Sequence, residues 1–332
     1  MTTTTCQSCG ETTLADASFC EACGADLVPA AANRPACVSC GVDAVDGEYC
    51  LECGHRQPAP TDHVEATAGR VAGVTDVGRR HHRNEDAMAM ADLGSAIVAV
   101  VCDGVSTTDN PHEASQAAAD AFSETVRQAV SAGTYETAAT LRAGVEAAQQ
   151  AVLSVERPGS SGSPSCTLAA AVLWPDRSEV DVCWLGDSRA YWVASDEGAQ
   201  LTNDHSWANE VVAAGEATVE EAEQDPRAHT ITRWLGADAV DLEPGIVTAE
   251  VGAGRLVVCS DGLWNYEPEA DALAERVRAI EGDSLSIAAT LTEFAKDAGG
   301  RDNITVVVTD PHVDTEESAM MGSADGTRRA DG

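Results

Sequence analysis

Short runs of apolar, mostly β-branched residues recur along the chain, and several of them end at an aspartate. Residues 97–102 form one such run and are followed by Asp103-Gly104; residues 255–259 form a second, followed by Ser260-Asp261-Gly262. Runs of this length and composition predict buried strands. An aspartate that follows a buried strand is held by rigid backbone and can face a cleft, which suits a metal ligand.

Further acidic residues lie beside other predicted strands. Asp187 and Asp302 each border one, and Asn84-Glu85-Asp86 follows a strand predicted at 70–77. An Asp-Gly or Asp-Asn pair is also an ordinary turn signal, so a single pair indicates little. Five acidic segments, each next to a strand, predict a site for hard cations built from oxygen ligands.

The remaining pattern mixes helical and strand periodicity. Short strands among paired helices indicate an α+β layered architecture, with two sheets packed on each other and helices outside. Residues 58–69 predict a linker, residues 70–311 a compact domain, and residues 312–332, which lack an apolar pattern, a disordered tail. Helices are predicted at 112–130, 135–156, 206–214, 268–280 and 284–298, and further strands at 166–174, 179–185, 190–194, 242–250 and 302–309.

Eight of the twelve cysteines form two similar sets near the N-terminus. In each set, two Cys-x-x-Cys pairs are separated by nine or ten residues, and an aromatic residue precedes the third cysteine. Four thiolates in this arrangement form a tetrahedral Zn²⁺ site, and such a short module needs its metal to fold. We predict zinc ribbons at 1–29 and 30–57, with Cys6, Cys9, Cys20 and Cys23 as ligands in the first and Cys37, Cys40, Cys50 and Cys53 in the second.

The net charge of the chain limits the kinds of molecule that it can bind. The chain carries 55 acidic and 20 basic residues, a formal net charge of -35, which disfavours nucleic acid and anionic membranes. Residues 1–57 contain eight acidic and two basic residues, so we expect the ribbons to bind protein. No run approaches the ~20 apolar residues of a membrane span, and the N-terminus lacks the features of a secretory signal, so we expect a cytoplasmic protein.

Eight short segments of the compact domain carry a resemblance to a known family. In order, they are Asn84-Glu85-Asp86, Asp103-Gly104, Ser165-Cys166-Thr167-Leu168, Gly186-Asp187-Ser188-Arg189, Leu201-Thr202-Asn203-Asp204-His205, Ile231-Thr232-Arg233, Ser260-Asp261-Gly262-Leu263 and Arg301-Asp302-Asn303-Ile304-Thr305. With these segments the domain resembles the metal-dependent protein phosphatases of the PPM type (type 2C). The resemblance implies an αββα sandwich, preceded here by the ribbons, with a two-metal centre in a cleft between the sheet edges. It also implies hydrolysis of phosphoserine and phosphothreonine on proteins, such as the substrates of bacterial serine/threonine kinases.

The resemblance also implies roles for individual residues. Asp103 would bridge two Mg²⁺ or Mn²⁺ ions, and Gly104 would offer its backbone carbonyl. The other metal-binding residues that it implies are Asp261, Asp302, Glu85 and, for a third ion, Asp187. Oxygen ligands select these cations, and two of them together would activate the water that attacks phosphorus.

One departure concerns phosphate binding. The arginine that grips phosphate in the family corresponds to His81, and a histidine cannot form the same bidentate contact. If this segment is extended, Arg79 and Arg83 share the face of His81. We therefore expect His81 and Arg83 to bind the phosphoryl group. A second departure is Val105, which stands where some eukaryotic members have a histidine that acts as general acid.

The retained aspartates favour an active protein phosphatase whose ribbons dock a protein partner. The alternative is a catalytically weak or inactive phosphatase-like scaffold that acts through its ribbons. This alternative is favoured by His81, because it replaces the arginine that grips phosphate in the family. A ribbon that binds nucleic acid is disfavoured by its charge.

Overall fold

The structure is a computed structural model that describes residues 3–6, 8–14, 19–25, 35–155 and 162–310. The chain divides into two compact units, Met1–Ala59 and Pro60–Gly332. The predicted tail at 312–332 lies outside the described residues. Within them, no helix is long and apolar enough to cross a membrane.

The first unit contains two short antiparallel hairpins, each beside one cysteine set. Strand β1 (Thr3–Thr5) pairs with β2 (Thr12–Leu14), and β3 (Val45–Asp46) pairs with β4 (Tyr49–Cys50). Gly41 and Gly54, which follow the two Cys-x-x-Cys turns of the second set, have φ angles of 73° and 72°. Such left-handed backbone favours glycine, so these positions suit the sharp turn of a zinc knuckle.

The second unit is a sandwich of two antiparallel sheets. One sheet has the strand order β15-β11-β10-β8-β7 and the other β13-β12-β16-β17-β6-β5, while β9 and β14 form a separate pair. The strands are β5 (His63–Ala68), β6 (Val71–Asp76), β7 (Ala87–Asp92), β8 (Ile97–Cys102), β9 (Ser165–Cys166), β10 (Leu168–Trp174), β11 (Glu179–Leu185), β12 (Arg189–Ala194), β13 (Gly198–Gln200), β14 (Leu235–Gly236), β15 (Gly245–Glu250), β16 (Gly254–Cys259) and β17 (Ile304–Thr309).

Helices cover the outer face of each sheet. Helices α1 and α2 pack on the five-stranded sheet, and α6 and α7 pack on the six-stranded sheet. The helices are α1 (Pro111–Ser131), α2 (Thr137–Val155), α3 (Trp207–Ala213), α4 (Val219–Glu223), α5 (Asp261–Trp264), α6 (Ala270–Ala279) and α7 (Ser284–Ala298). The four layers confirm the predicted αββα sandwich.

Strand β8 shows why the central strands are continuously apolar. Val98 and Val100 face helices α1 and α2, whereas Ile97, Ala99 and Val101 face the other sheet. All six residues of the strand are buried because both faces of the sheet are covered. The four cysteines outside the ribbons, Cys102, Cys166, Cys183 and Cys259, are buried in these layers as well.

The predicted linker at 58–69 is wrong for residues 63–68, because these form β5. This strand is the outermost of its sheet and pairs only with β6. Its side chains are mostly exposed, so backbone pairing rather than apolar burial holds it in place. A strand of that kind leaves no alternating apolar signal in the sequence.

Candidate active site

Acidic residues from both sheets converge at one end of the sandwich. Asp103 follows β8, Asp261 follows β16, Asp302 precedes β17, and Asp187 lies between β11 and β12. Burial, and then the negative charges around it, raise the pKa of Asp103 well above its ordinary value. The contributing carboxylates are those of Asp86, Asp261, Asp302 and Asp187. The structure therefore brings together the predicted metal-binding aspartates.

The cluster carries more negative charge than its surroundings can compensate. Burial raises the pKa of Asp86 to about 7, of Asp187 to about 8 and of Asp261 to about 6, and neighbouring carboxylates add to each shift. Buried acids with raised pKa values are stabilised in their ionised form by a nearby cation. In addition, one carboxylate oxygen each of Asp86 and Asp261 is buried and takes part in no hydrogen bond within the described residues. Hard divalent cations fit this set of oxygen donors.

Neighbouring side chains hold the acids in place. Ser260 Oγ donates to Asp86 Oδ2 over 2.7 Å, and the backbone N–H of Asp103 donates to Thr167 Oγ1 over 3.1 Å. Gly104 is needed for space, since a Cβ there would lie 2.6 Å from the carbonyl oxygen of Glu85. The backbone of the Asp103-Gly104 turn can thus approach the Glu85 segment closely.

Asn303 fixes the segment that carries Glu85. Its Oδ1 accepts from the backbone N–H of Glu85 over 2.8 Å, and its Nδ2 donates to the carbonyl oxygens of Val77 and Arg83 over 3.0 and 3.1 Å. The Glu85 carboxylate accepts a hydrogen bond from Ser106 Oγ. Asn303, Ser260 and Asp86 were not predicted as site residues, although all three lie in segments that carried the resemblance.

The segment before Glu85 begins with a turn, so the condition under which Arg79 would share a face with His81, an extended backbone, is not met. Residues 78–80 turn at Gly78, whose φ is 70° and where a Cβ would lie 2.1 Å from the carbonyl oxygen of Asp302. Arg79 is directed to the end of α7, where its Nε donates to the carbonyl oxygen of Lys296 over 2.7 Å and Nη2 pairs with Asp297. Arg79 therefore does not share a face with His81.

The two predicted phosphate-binding residues have different neighbours. His81 Nε2 lies 3.2 Å from Asp302 Oδ1. Arg83 Nη1 instead lies 3.3 Å from His112 Nε2, in the first turn of α1. His81 is thus the residue of this pair that lies against the aspartate cluster.

The eight ribbon cysteines form two compact sulfur clusters. In the first, the Sγ atoms of Cys6 and Cys23 are 3.7 Å apart and those of Cys9 and Cys20 are 3.6 Å apart. In the second, the Sγ atoms of Cys37 and Cys53 are 3.7 Å apart, and those of Cys40 and Cys50 are also 3.7 Å apart. Thiolates bound tetrahedrally at about 2.3 Å from zinc lie roughly 3.8 Å from each other, whereas a disulfide requires about 2.05 Å.

Within the described ranges, these sets are the only groups of three or more possible ligands whose donor atoms all lie within 4.8 Å of one another. The carboxylate cluster is therefore looser than the sulfur clusters. Within the second cluster, the backbone N–H of Cys40 lowers the pKa of Cys37 to about 6, whereas burial and the neighbouring thiols raise the pKa of Cys53 to about 12.

Comparison with known proteins agrees with this geometry. The sequence profile of the family described as "Protein phosphatase 2C" matches residues 77–295. The chain is 31% identical over 238 residues to the serine/threonine phosphatase stp of Listeria innocua, which covers 70% of this chain and 92% of that protein. The serine/threonine phosphatase of S. agalactiae superposes with a TM-score of 0.60 at 26% identity, over 74% of this chain and 99% of that one.

A further solved structure is the catalytic domain of the phosphatase PstP in complex with two manganese ions. It has a TM-score of 0.55 and 26% identity, over 74% of this chain and 98% of that one. The profile match, the relatives and the fold agree with one another. The chain belongs to the protein phosphatase 2C family and is a protein serine/threonine phosphatase.

Proposed function

We propose that this phosphatase depends on two Mg²⁺ or Mn²⁺ ions, held in the carboxylate cluster, to hydrolyse phosphoserine and phosphothreonine on proteins. The observation that carries the proposal is a buried group of aspartates with raised pKa values and unpaired oxygens. The residues that would hold the two ions are Asp103, Gly104, Asp261, Asp302, Glu85 and Asp86, and Asp187 would help to hold a third. Bound ions of this kind polarise a phosphoryl group and lower the pKa of a coordinated water.

Side chains near the proposed metal ions would orient the phosphoryl group of the substrate. His81, in contact with Asp302, would donate a ring N–H to a phosphoryl oxygen. Asn303 hydrogen-bonds the backbone of the turn before Glu85, so it helps to position both His81 and Glu85. The substrates would be proteins phosphorylated by bacterial serine/threonine kinases, as expected for a relative of bacterial enzymes named serine/threonine phosphatases.

The test is hydrolysis of a phosphothreonine peptide by protein stripped of metal and then supplied with Mn²⁺. We expect turnover that requires Mn²⁺ and falls at least about a hundredfold in Asp103→Asn, since the bridging ligand is weakened. Asp196→Asn, at an exposed position, makes the same chemical change away from the cluster and should keep full activity. Zinc-loaded, folded wild-type protein without turnover would contradict the proposal and favour the scaffold alternative.

We also propose that each sulfur cluster binds one structural Zn²⁺ and that the ribbons dock a protein partner in the reducing cytoplasm. The sulfur spacing and the acidic composition of residues 1–57 support this. Cys50→Ser should lose one of two bound zinc ions and unfold the second ribbon, because metal supplies most of its folding free energy. Turnover of a short phosphopeptide should be unchanged in the variant; unchanged zinc content would contradict the proposal.

A further inference from the structure

A groove runs along the free edge of β7, the outermost strand of the five-stranded sheet. β7 pairs with β8 on one side, and within the described residues its backbone makes no hydrogen bond on the other side. β5, the outermost strand of the opposite sheet, lies on the same flank of the sandwich. A cavity of about 770 Å³ lies between β5, β7 and α1.

The two walls of the groove differ in chemistry. The wall formed by β5 is mostly apolar, and it is lined by Val64, Ala66 and Ala68 together with the polar Thr67. The wall formed by α1 is polar and acidic, and Glu113, Gln116 and Asp120 line it. Among the described residues that line the cavity there is no lysine or arginine, and His112 is its one histidine. The groove is therefore negative along α1 and mostly apolar along β5.

We propose that this groove binds an extended segment of a protein partner, which adds to the edge of β7 as a sixth strand of the sheet. The unpaired backbone groups of an edge strand are a template for such pairing. Successive side chains of a strand point to opposite sides. On β7, one side of the added strand would face β5 and the other would face α1.

The two walls determine the sequence of the partner. Residues that point toward β5 must be apolar, and residues that point toward α1 must be basic, since Glu113 and Asp120 stand there. The segment that fits is thus an extended peptide in which apolar residues alternate with lysine or arginine. β7 is six residues long, so about six residues of the partner, or roughly 20 Å, would pair with it. This proposal concerns the fold and does not depend on the metal centre.

The probe is a fluorescein-labelled eight-residue peptide in which valine and lysine alternate, measured by fluorescence anisotropy with the full-length protein. The control is a peptide with four valines followed by four lysines, which has the same charge and composition. As an extended strand it cannot place all its valines on one face and all its lysines on the other. We expect the alternating peptide to bind at least about tenfold more tightly than the block peptide. Only the alternating peptide can place valines against β5 and lysines against α1 along its whole length. Equal affinities would reduce the interaction to charge attraction and overturn the proposal.

Two variants locate the binding site. Asp120→Lys reverses a charge on the α1 wall and should weaken the alternating peptide at least about fivefold. Glu146→Lys makes the same charge change at an exposed position on α2, outside the groove, and should leave the affinity within about twofold. Equal loss in both variants would show non-specific attraction and overturn the proposal. Thermal melting of each variant confirms that it is folded.

Hydrogen exchange identifies the strand that pairs. The alternating peptide should protect backbone amides of residues 87–92 in the wild-type protein, whereas exchange in residues 219–223 should not change. Protection of 87–92 that rises with protein concentration in the absence of peptide would assign the groove to a second copy of the chain. Binding that requires deletion of residues 311–332 would assign it to that segment. Either result, or no protection at 87–92, would overturn the proposal.

Discussion

Replacing His81 by arginine tests how this chain binds phosphate. His81 Nε2 is engaged with Asp302 at 3.2 Å, which leaves one ring nitrogen for a substrate. A guanidinium has five N–H donors, so it can keep a contact with Asp302 and also bind a phosphoryl group bidentately. His81 is partly buried, with 27% of its side chain exposed, so screening by solvent is incomplete.

The size of the effect follows from one added charged hydrogen bond. Such a bond contributes about 1.5–3 kcal/mol. If it forms in the transition state, His81→Arg should raise kcat/KM roughly 10- to 100-fold. His81→Ala, which removes the remaining donor, should lower kcat/KM by roughly tenfold.

The assay is steady-state hydrolysis of a phosphothreonine peptide at saturating Mn²⁺, with kcat and KM determined separately. His82→Arg is the matched control, because it makes the same change at the next residue, whose side chain is exposed. We expect this control to stay within about twofold of the wild type, since its added charge remains in solvent. The reasoning is refuted if His81→Arg is no faster than the wild type, or if His82→Arg gains as much.

Three further predictions concern stability and geometry. Gln149 exchanges two buried hydrogen bonds, of 2.8 and 2.9 Å, with the backbone of Gly236; Gln149→Leu should cost about 2–5 kcal/mol in urea unfolding while exposed Gln150→Leu costs little, and equal costs would contradict this. Burial lowers the pKa of His205 to about 4. Below about pH 6.5 the unfolded chain binds a proton at this residue and the folded chain does not, so the free energy of unfolding falls as pH drops toward 4. Solvent screening limits this fall to about 1–2 kcal/mol; His205→Asn should remove it, and an unchanged dependence of the free energy of unfolding on pH would refute this assignment. Gly104→Ala should abolish turnover and lower Tm, because its Cβ would collide with two backbone carbonyls; full activity would contradict that.

The central strands and the aspartates at their ends could be predicted because their signals are local. Strand β8 is apolar on both faces, and Asp103 follows it directly, so composition alone indicates both the buried strand and the acid at its end. Several such strands in one layered domain suggested that their ends would meet. In the structure, burial and acids at the ends of other strands raise the pKa of Asp103.

The segment before Glu85 could not be predicted in the same way. Alternation would place Arg79 and His81 on one face only if the backbone were extended. The structure instead turns at Gly78, because Arg79 bonds to the end of α7 through its backbone N–H, 2.8 Å from the carbonyl oxygen of Gly300. That contact joins residues more than two hundred positions apart, so no local pattern can reveal it.

Two edge strands, β5 and β7, were missed for a related reason. β5 has mostly exposed side chains, and β7 is built of alanine, methionine and a terminal aspartate, which are not typical strand residues. Both are held by backbone pairing to a neighbour that is itself well predicted. Their position at the edges of the sheets became visible only in the structure.

The most direct test of the metal centre is the number of Mn²⁺ ions bound to metal-stripped, zinc-loaded protein, counted by electron paramagnetic resonance. The carboxylate cluster predicts at least two ions per chain in the wild type. Asp103→Asn should lose at least one of them, whereas Asp196→Asn should bind as many as the wild type. Equal binding by the wild type and Asp103→Asn would contradict the assignment of this cluster as the metal centre.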